Sequence, residues 1–227
     1  SKNNVVGPKP MKWPFFTSKS FFVESRINRA YSVSLARHGA SPQGVFWNSK
    51  KSQTARFASL VKMISVHHQS EQPPVIADIG CGYGALLDYL RMRPVVSSWE
   101  YRGVDINESM IKLCQERFPA DVELFRRGRL PAKTVDYCVF SGTFNLCMTN
   151  DLNSWQNYVL EALSTCWRLS RSGMALNLLC RSRASVINNI FYADLKLVLN
   201  QLRQHFGEVE IMETPQLRHD MTFLLSK

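Results

Sequence analysis

The segment Asp78-Ile79-Gly80-Cys81-Gly82-Tyr83-Gly84 joins a carboxylate to three glycines at alternate positions, directly after the apolar run Val75-Ile76-Ala77. Glycines at that spacing let the backbone turn tightly and come close to a ligand. A helix starting near Ala85 would turn its free N–H groups and positive dipole end toward that ligand. Asp105 lies twenty-one residues after Gly84, at the end of a second apolar stretch, Tyr101-Arg102-Gly103-Val104. Strand, glycine loop, helix, strand and acid at these lengths form a nucleoside-binding βαβ half, with the acid placed for ribose hydroxyls.

Gly80, Gly82 and Ala85 also satisfy G-x-G-x-x-A, the fingerprint of a nicotinamide-dependent oxidoreductase. Three features rank that reading last. Asp78 sits two residues before the first glycine, where it can hold loop amides or a cationic ligand group. The unit begins only near residue 75, behind a helical segment. One sheet is expected to fill the rest of the chain, leaving no second domain for an oxidisable substrate. Asp78-x-Gly80-x-Gly82-x-Gly84 followed by Asp105 resembles the first motif and the ribose-binding acid of the class I S-adenosylmethionine-dependent methyltransferases.

That resemblance implies S-adenosyl-L-methionine as cofactor and no metal. It assigns Asp78, Gly80, Cys81 and Gly82 to the donor's methionine end, and Asp105 with Ile106 to ribose and one adenine face. The loop after strand four, Ser141-Gly142-Thr143-Phe144-Asn145, would bring Ser141 to the donor and Asn145 to the acceptor as an orienting group; Asn145 equally suits a turn or helix cap. Arg56, on the helix before strand one, is expected either to pair with the donor carboxylate or to lie on a solvated face. After strand three, where many such enzymes carry an acid, this chain has Arg126-Arg127. Methyl transfer from a sulfonium is an in-line displacement, so alignment can suffice without a dedicated catalytic residue. An Asp/Asn/Ser-Pro-Pro-aromatic motif and a Pro-Cys pair are both absent, which lowers nucleobase N6 and C5 methylation.

The elements that must hold these residues follow from periodicity. Residues 75–79, 101–105, 122–125, 135–140, 174–179, 209–212 and 221–225 read as strands. Helices fill the intervals, with Asn107, Asp151 and Asp194 as their opening residues and Gly207 closing the last. The predicted fold is a doubly wound, mainly parallel seven-stranded α/β sheet with helices on both faces and a helical N-terminal cap. Residues 1–20 are expected to be a basic, aromatic arm, 21–70 the helical cap, and 71–227 the Rossmann-like core. In the cap, Ser49 or Ser52 starts a helix running to about His68, with Phe57, Leu60, Val61 and Ile64 inward.

At 227 residues the chain can bury ~70% of its unfolded surface without staples. Six scattered cysteines without a C-x-x-C pair suit buried thiols in a reducing compartment. The expected location is cytoplasmic, with organellar import an open alternative because the N-terminus is Arg/Ser-rich and acid-poor. Ser1 rather than Met at the start is expected of a trimmed chain. No apolar run reaches transmembrane length, so no membrane partner is expected.

Residues 1–60 hold ten Lys/Arg and one acid, Glu24, which accounts for nine of the ten net positive charges. Trp13, Phe15, Phe16, Phe21, Phe22, Tyr31, Phe46 and Trp47 are interleaved with them. Such a segment could grip RNA through phosphates and stacking, act as a lid over a small substrate, with Tyr31 and Trp47 closing it, or simply pack its aromatics inward. The expected acceptor is small or medium, with anionic molecules among the candidates, and is methylated at O or N. The alternatives are an RNA acceptor using the basic arm, or a non-catalytic binding module.

Overall fold

The computed structural model describes residues 18–46 and 49–227; the expected arm and Trp47 thus lie outside the described residues, except for the arm's last three positions. Helix α1 covers Ser18–His38 and, after a short 3-10 turn at Gln43–Val45, α2 covers Lys50–His67. The alternation of strand and helix then begins: β1 Val75–Ile79, α3 Ala85–Arg91, β2 Glu100–Asp105, α4 Glu108–Arg117, β3 Phe125–Arg127 and β4 Val135–Phe140. It continues with α5 Leu152–Leu169, β5 Ser170–Arg181, β6 Ser185–Ile187, β7 Ile190–Asp194, α6 Leu195–Phe206, β8 Glu208–Glu213 and β9 Asp220–Ser226.

The helix starts obey their capping side chains. Ser49, Asn107, Asp151 and Asp194 each accept a hydrogen bond from the backbone N–H three residues on, at 3.2, 3.0, 3.1 and 3.0 Å. Gly207, at φ 85°, closes α6 and donates to Arg203 O.

Strands β3, β2, β1, β4 and β5 lie side by side in parallel, β9 runs antiparallel along β5, and β8 runs antiparallel to β9. Alternate residues of each strand face opposite sides, so the sheet has two cores. Cys138 and Phe140 of β4 face α1, α5 and α6, whereas Tyr137 and Val139 face α2, α3 and α4. No described helix is long and apolar enough to cross a membrane.

Three expectations are corrected. Val122–Leu124 forms a 3-10 turn, closed by Leu124 N to Asp121 O at 3.0 Å, so β3 keeps only three residues at the sheet edge. Strand β5 starts at Ser170, directly behind α5, because β4 already pairs with it there. The hairpin β6–β7 lies outside the expected strands. Its two-residue turn, Asn188-Asn189, has φ 51° and 61°, a left-handed pair that asparagine tolerates well. The hairpin docks on the loop after β4 through Phe191 N to Asn145 O and Cys147 N to Asn189 O, both 2.8 Å. The described residues thus form nine strands, seven of them in the expected sheet.

Candidate active site

The order of strands reverses at β1, with β2 and β3 on one side and β4 onward on the other. In open α/β sheets ligands bind beyond the carboxyl ends of the strands at that point. A cleft of about 110 Å³ opens there. Its floor is the loop from Asp78 to Tyr83, then Asp105 and Ile106, Gly128 to Leu130, and Phe140 to Phe144. Its roof is Glu24, Ile27 and Tyr31 of α1, Val45, and Gln53 and Phe57 of α2.

The glycine loop is tied to β2 by Gly80 N and Cys81 N, which both donate to Val104 O, at 2.7 and 3.1 Å. Gly80 adopts φ 76°, and a Cβ there would lie 2.8 Å from Thr143 Cγ2. Only glycine meets both conditions, so the loops after β1 and β4 approach each other to contact distance.

Two carboxylates face this cleft from adjacent strands. Asp105 accepts from Gly82 N at 2.9 Å and from Asn107 N at 2.8 Å, one bond per oxygen. Burial raises its pKa, and those two amide bonds oppose the rise. Asp78 accepts from Tyr101 Oη at 2.8 Å. Burial pushes its carboxyl up to about 7; the Tyr101 bond opposes the shift and Asp105 adds to it. The Tyr31 phenol is raised by burial and then by Asp105. Both acids thus resist ionisation, and among the described residues no guanidinium or ammonium is bonded to either. Ser141 Oγ at the cleft wall is buried and has no hydrogen-bond partner among the described residues.

The roof is fastened by polar side chains. Glu24 is buried and accepts Arg129 Nε at 2.7 and 2.8 Å on its two oxygens, a further bond from Arg129 Nη2, and Tyr158 Oη at 3.4 Å. Ser20 Oγ donates to Glu161 Oε2 of α5 at 2.5 Å. Gln53 Oε1 accepts from Tyr83 Oη at 2.8 Å.

The structure brings Asp78, Gly80, Cys81, Gly82, Asp105, Ile106 and Ser141 into one cleft. Two expected residues do not join them. Arg56 is corrected: its guanidinium pairs with the fully buried carboxylate of Asp220 at the start of β9, and Asp220 also accepts Thr214 Oγ1 at 2.5 Å. It faces the sheet and not the cleft, because β9 carries a buried acid directly beneath α2. Asn145 is not among the residues that line the cleft and takes the turn position that is its alternative. Its backbone joins Gly142 and Phe191, and its side-chain oxygen is buried outside the cleft, without a partner among the described residues. It holds the β6–β7 hairpin, a role invisible until that hairpin is known.

Sequence reasoning gave no site role to Glu24, Gln53, Arg129 or Tyr158. Arg126 and Arg127, which it noticed, are exposed, and Arg129 is the one that turns inward. The available signal was Glu24 itself, the single acid in a basic segment.

Residues 76–173 match the family model described as "Methyltransferase domain". Rv1506c of Mycobacterium tuberculosis, described as a methyltransferase, is 29% identical over 159 residues, covering 68% of this chain and 94% of that protein. Among solved structures, the magnesium protoporphyrin IX methyltransferase of Synechocystis with bound S-adenosylmethionine aligns with a TM-score of 0.57 at 12% identity, covering 92% of this chain and 96% of its own. DesVI of Streptomyces venezuelae aligns with a TM-score of 0.57 at 11% identity, covering 78% and 93%. Residues 76–173 thus match a methyltransferase domain laid over this sheet and its glycine loop, and these similarities support a class I S-adenosylmethionine-dependent methyltransferase with S-adenosyl-L-methionine as cofactor.

Proposed function

We propose that the loop from Asp78 to Gly84 and Asp105 hold the donor, and that a small, mostly apolar acceptor is methylated at O or N in the space beneath α1. The fit to the donor is chemical. Asp78 is a buried acid lacking a cation among the described residues, and an ammonium group supplies one. Asp105 suits ribose hydroxyls, since each of its oxygens carries one amide and keeps a free lone pair. Ser141 Oγ is a buried hydroxyl in need of a partner. Gly80 and Gly82 leave the loop backbone bare, and Ile106 offers an apolar face to a base.

When bound, the donor supplies a methyl group already activated by positive sulfur. The chain's own residues bind and orient, which can contribute ~7–11 kcal/mol toward the barrier. Ile27, Tyr31, Phe144, Tyr158 and Ala162 form the apolar walls on the roof side, and this continuity of an apolar chamber with the carboxylate-bearing loops carries the reading. The Glu24–Arg129 pair at its edge has no net charge, which supports a neutral acceptor over an anionic one. We place the roof, residues 21–70, as a cap on a core of 71–227.

A second reading rests on a different surface. Arg26, Arg29, Arg37, Lys50 and Lys51 are exposed on the cap, and Glu24, the sole acid of α1 and α2, is buried. That face suits an RNA acceptor docking from outside. Incubation of the enzyme with methyl-tritiated donor, a low-mass metabolite extract and total RNA separates the two. Label in the low-mass fraction is expected. Label confined to RNA, lost steeply as salt rises, would refute the small-acceptor reading.

A further inference from the structure

Asn107 lies between the acid of the cleft and its roof and is 2% exposed. Three of its polar groups are engaged, each on a different element. Its backbone N–H donates to Asp105 Oδ1 at 2.8 Å. Its side-chain oxygen accepts Met110 N at 3.0 Å and so caps α4. Its side-chain amide donates to α1, with Asn28 Oδ1 at 2.7 Å, Ser32 Oγ at 2.9 Å and Asn28 O at 3.1 Å. Asn28 and Ser32 are four residues apart and therefore on one face of α1.

We propose that Asn107 is a positioning residue that couples the donor's ribose site to closure of α1. The inference rests on the assignment of Asp105 to the ribose. Two side-chain N–H groups serve three acceptors on α1, so Asn107 cannot turn without releasing the roof. The amide that orients Asp105 belongs to the same residue, so the carboxylate and the roof share one rigid junction. A ligand that engages Asp105 therefore favours the seated position of α1. A seated α1 in turn raises affinity for that ligand by the same factor, because coupling between two sites is reciprocal. Tyr31, three positions after Asn28 and so on the same side of α1, lines the cleft, which places the coupled side of α1 toward the ligand. Removal of the clasp is thus expected to weaken donor binding without touching any residue that contacts donor.

The test is the double substitution Asn28→Ala with Ser32→Ala. It removes two acceptors from α1 and leaves Asp105, Asn107 and the α4 cap in place; alanine also favours helix. The readouts are calorimetric affinity for S-adenosylhomocysteine and for 5′-methylthioadenosine, and hydrogen exchange of the α1 amides with and without saturating ligand. We expect the ligand to slow α1 exchange in the wild type. In the double variant both affinities should fall roughly tenfold, the scale of two modest hydrogen bonds. Ligand protection of α1 should shrink in step, while the ligand-free melting temperature stays within a few degrees. Ser32→Ala alone should show a smaller loss in the same direction, and Ser32→Thr, which keeps the hydroxyl, should bind like the wild type. Affinities within twofold of wild type, undiminished ligand protection of α1, or a loss confined to S-adenosylhomocysteine would overturn the coupling alone. Failure of the wild type to bind S-adenosylhomocysteine would overturn the donor assignment and this inference with it.

Discussion

Substitution of Gly80 by alanine tests the closest approach in the cleft, and its cost divides into parts that can be measured separately. The first part is conformational. Gly80 has φ 76°, and a left-handed backbone costs an L-residue roughly 1–2 kcal/mol. The second part is contact. The new Cβ would sit 2.8 Å from Thr143 Cγ2 and 3.2 Å from its Oγ1, so Thr143 must move. Thr143 is not free to do so, because its hydroxyl donates to Ile79 O at 2.7 Å. Loss of that bond adds about 0.5–1.5 kcal/mol. The sum is ~1.5–3.5 kcal/mol, or a fall in melting temperature of ~3–14 °C for a domain of this size. Gly39 provides the control. It has φ 62°, and a methyl group at its Cα would meet nothing within 4 Å, so Gly39→Ala reports the conformational part alone. Thermal and urea unfolding of both variants give the difference. Thr143→Ser added to Gly80→Ala removes the closer methyl while keeping the hydroxyl, and should recover about half of that difference. If Gly80→Ala costs no more than Gly39→Ala, or if Thr143→Ser recovers nothing, the loops after β1 and β4 do not meet as described.

Two further outcomes are expected. Asp78 holds its proton more tightly folded, at about 7, than at its ordinary value of 3.8, so its contribution is fully present below about pH 4 and is lost as pH rises toward 7, by at most about 4 kcal/mol. Asp78→Asn should flatten that loss in ligand-free melts from pH 5 to 8, and affinity for S-adenosylhomocysteine should rise over the same range only in the wild type; parallel pH profiles for the two proteins would count against a cation site at Asp78. Arg56→Met strands the buried carboxylate of Asp220 and should destabilise by roughly 3–5 kcal/mol near neutral pH while leaving ligand affinity unchanged in the folded fraction; selective loss of S-adenosylhomocysteine binding over 5′-methylthioadenosine would restore Arg56 to the cleft.

The part of the site legible in the sequence is the part built from neighbours along the chain. Asp78, the glycines and Asp105 belong to one βαβ unit, whose geometry follows from strand period, turn chemistry and helix capping along a single short stretch of chain. Asn107, Asp151 and Asp194 are legible as caps because a cap is read from its own helix. The hairpin β6–β7 is not, since its strands have three and five residues and its turn uses two asparagines in place of the usual glycine. Arg56 and Asn145 lie outside the cleft for a common reason. Each is a polar group whose partner lies far away in sequence, at Asp220 for Arg56 and at Phe191 for the Asn145 backbone, and periodicity says nothing of such pairs.

The same distinction accounts for how this site is divided between core and roof. The core supplies two buried acids, Asp78 and Asp105, that repel each other and are offset in their burial by hydrogen bonds from Tyr101, Gly82 and Asn107. An arrangement of that kind is unfavourable when empty and is relieved by a ligand carrying an ammonium group and ribose hydroxyls. Among the described residues the roof brings no cation to those acids. Its one carboxylate, Glu24, is matched by Arg129, its Arg56 pairs with Asp220 away from the cleft, and further contacts to the floor run through neutral side chains at Asn28, Ser32 and Gln53. Neutral hydrogen bonds of this kind are individually worth about 1 kcal/mol, so the contacts of Asn28 and Ser32 hold α1 less firmly than the Arg56–Asp220 pair holds α2. On the proposed donor assignment, the contacts to the donor come mainly from the floor, and the seating of α1 adjusts their strength through Asn107.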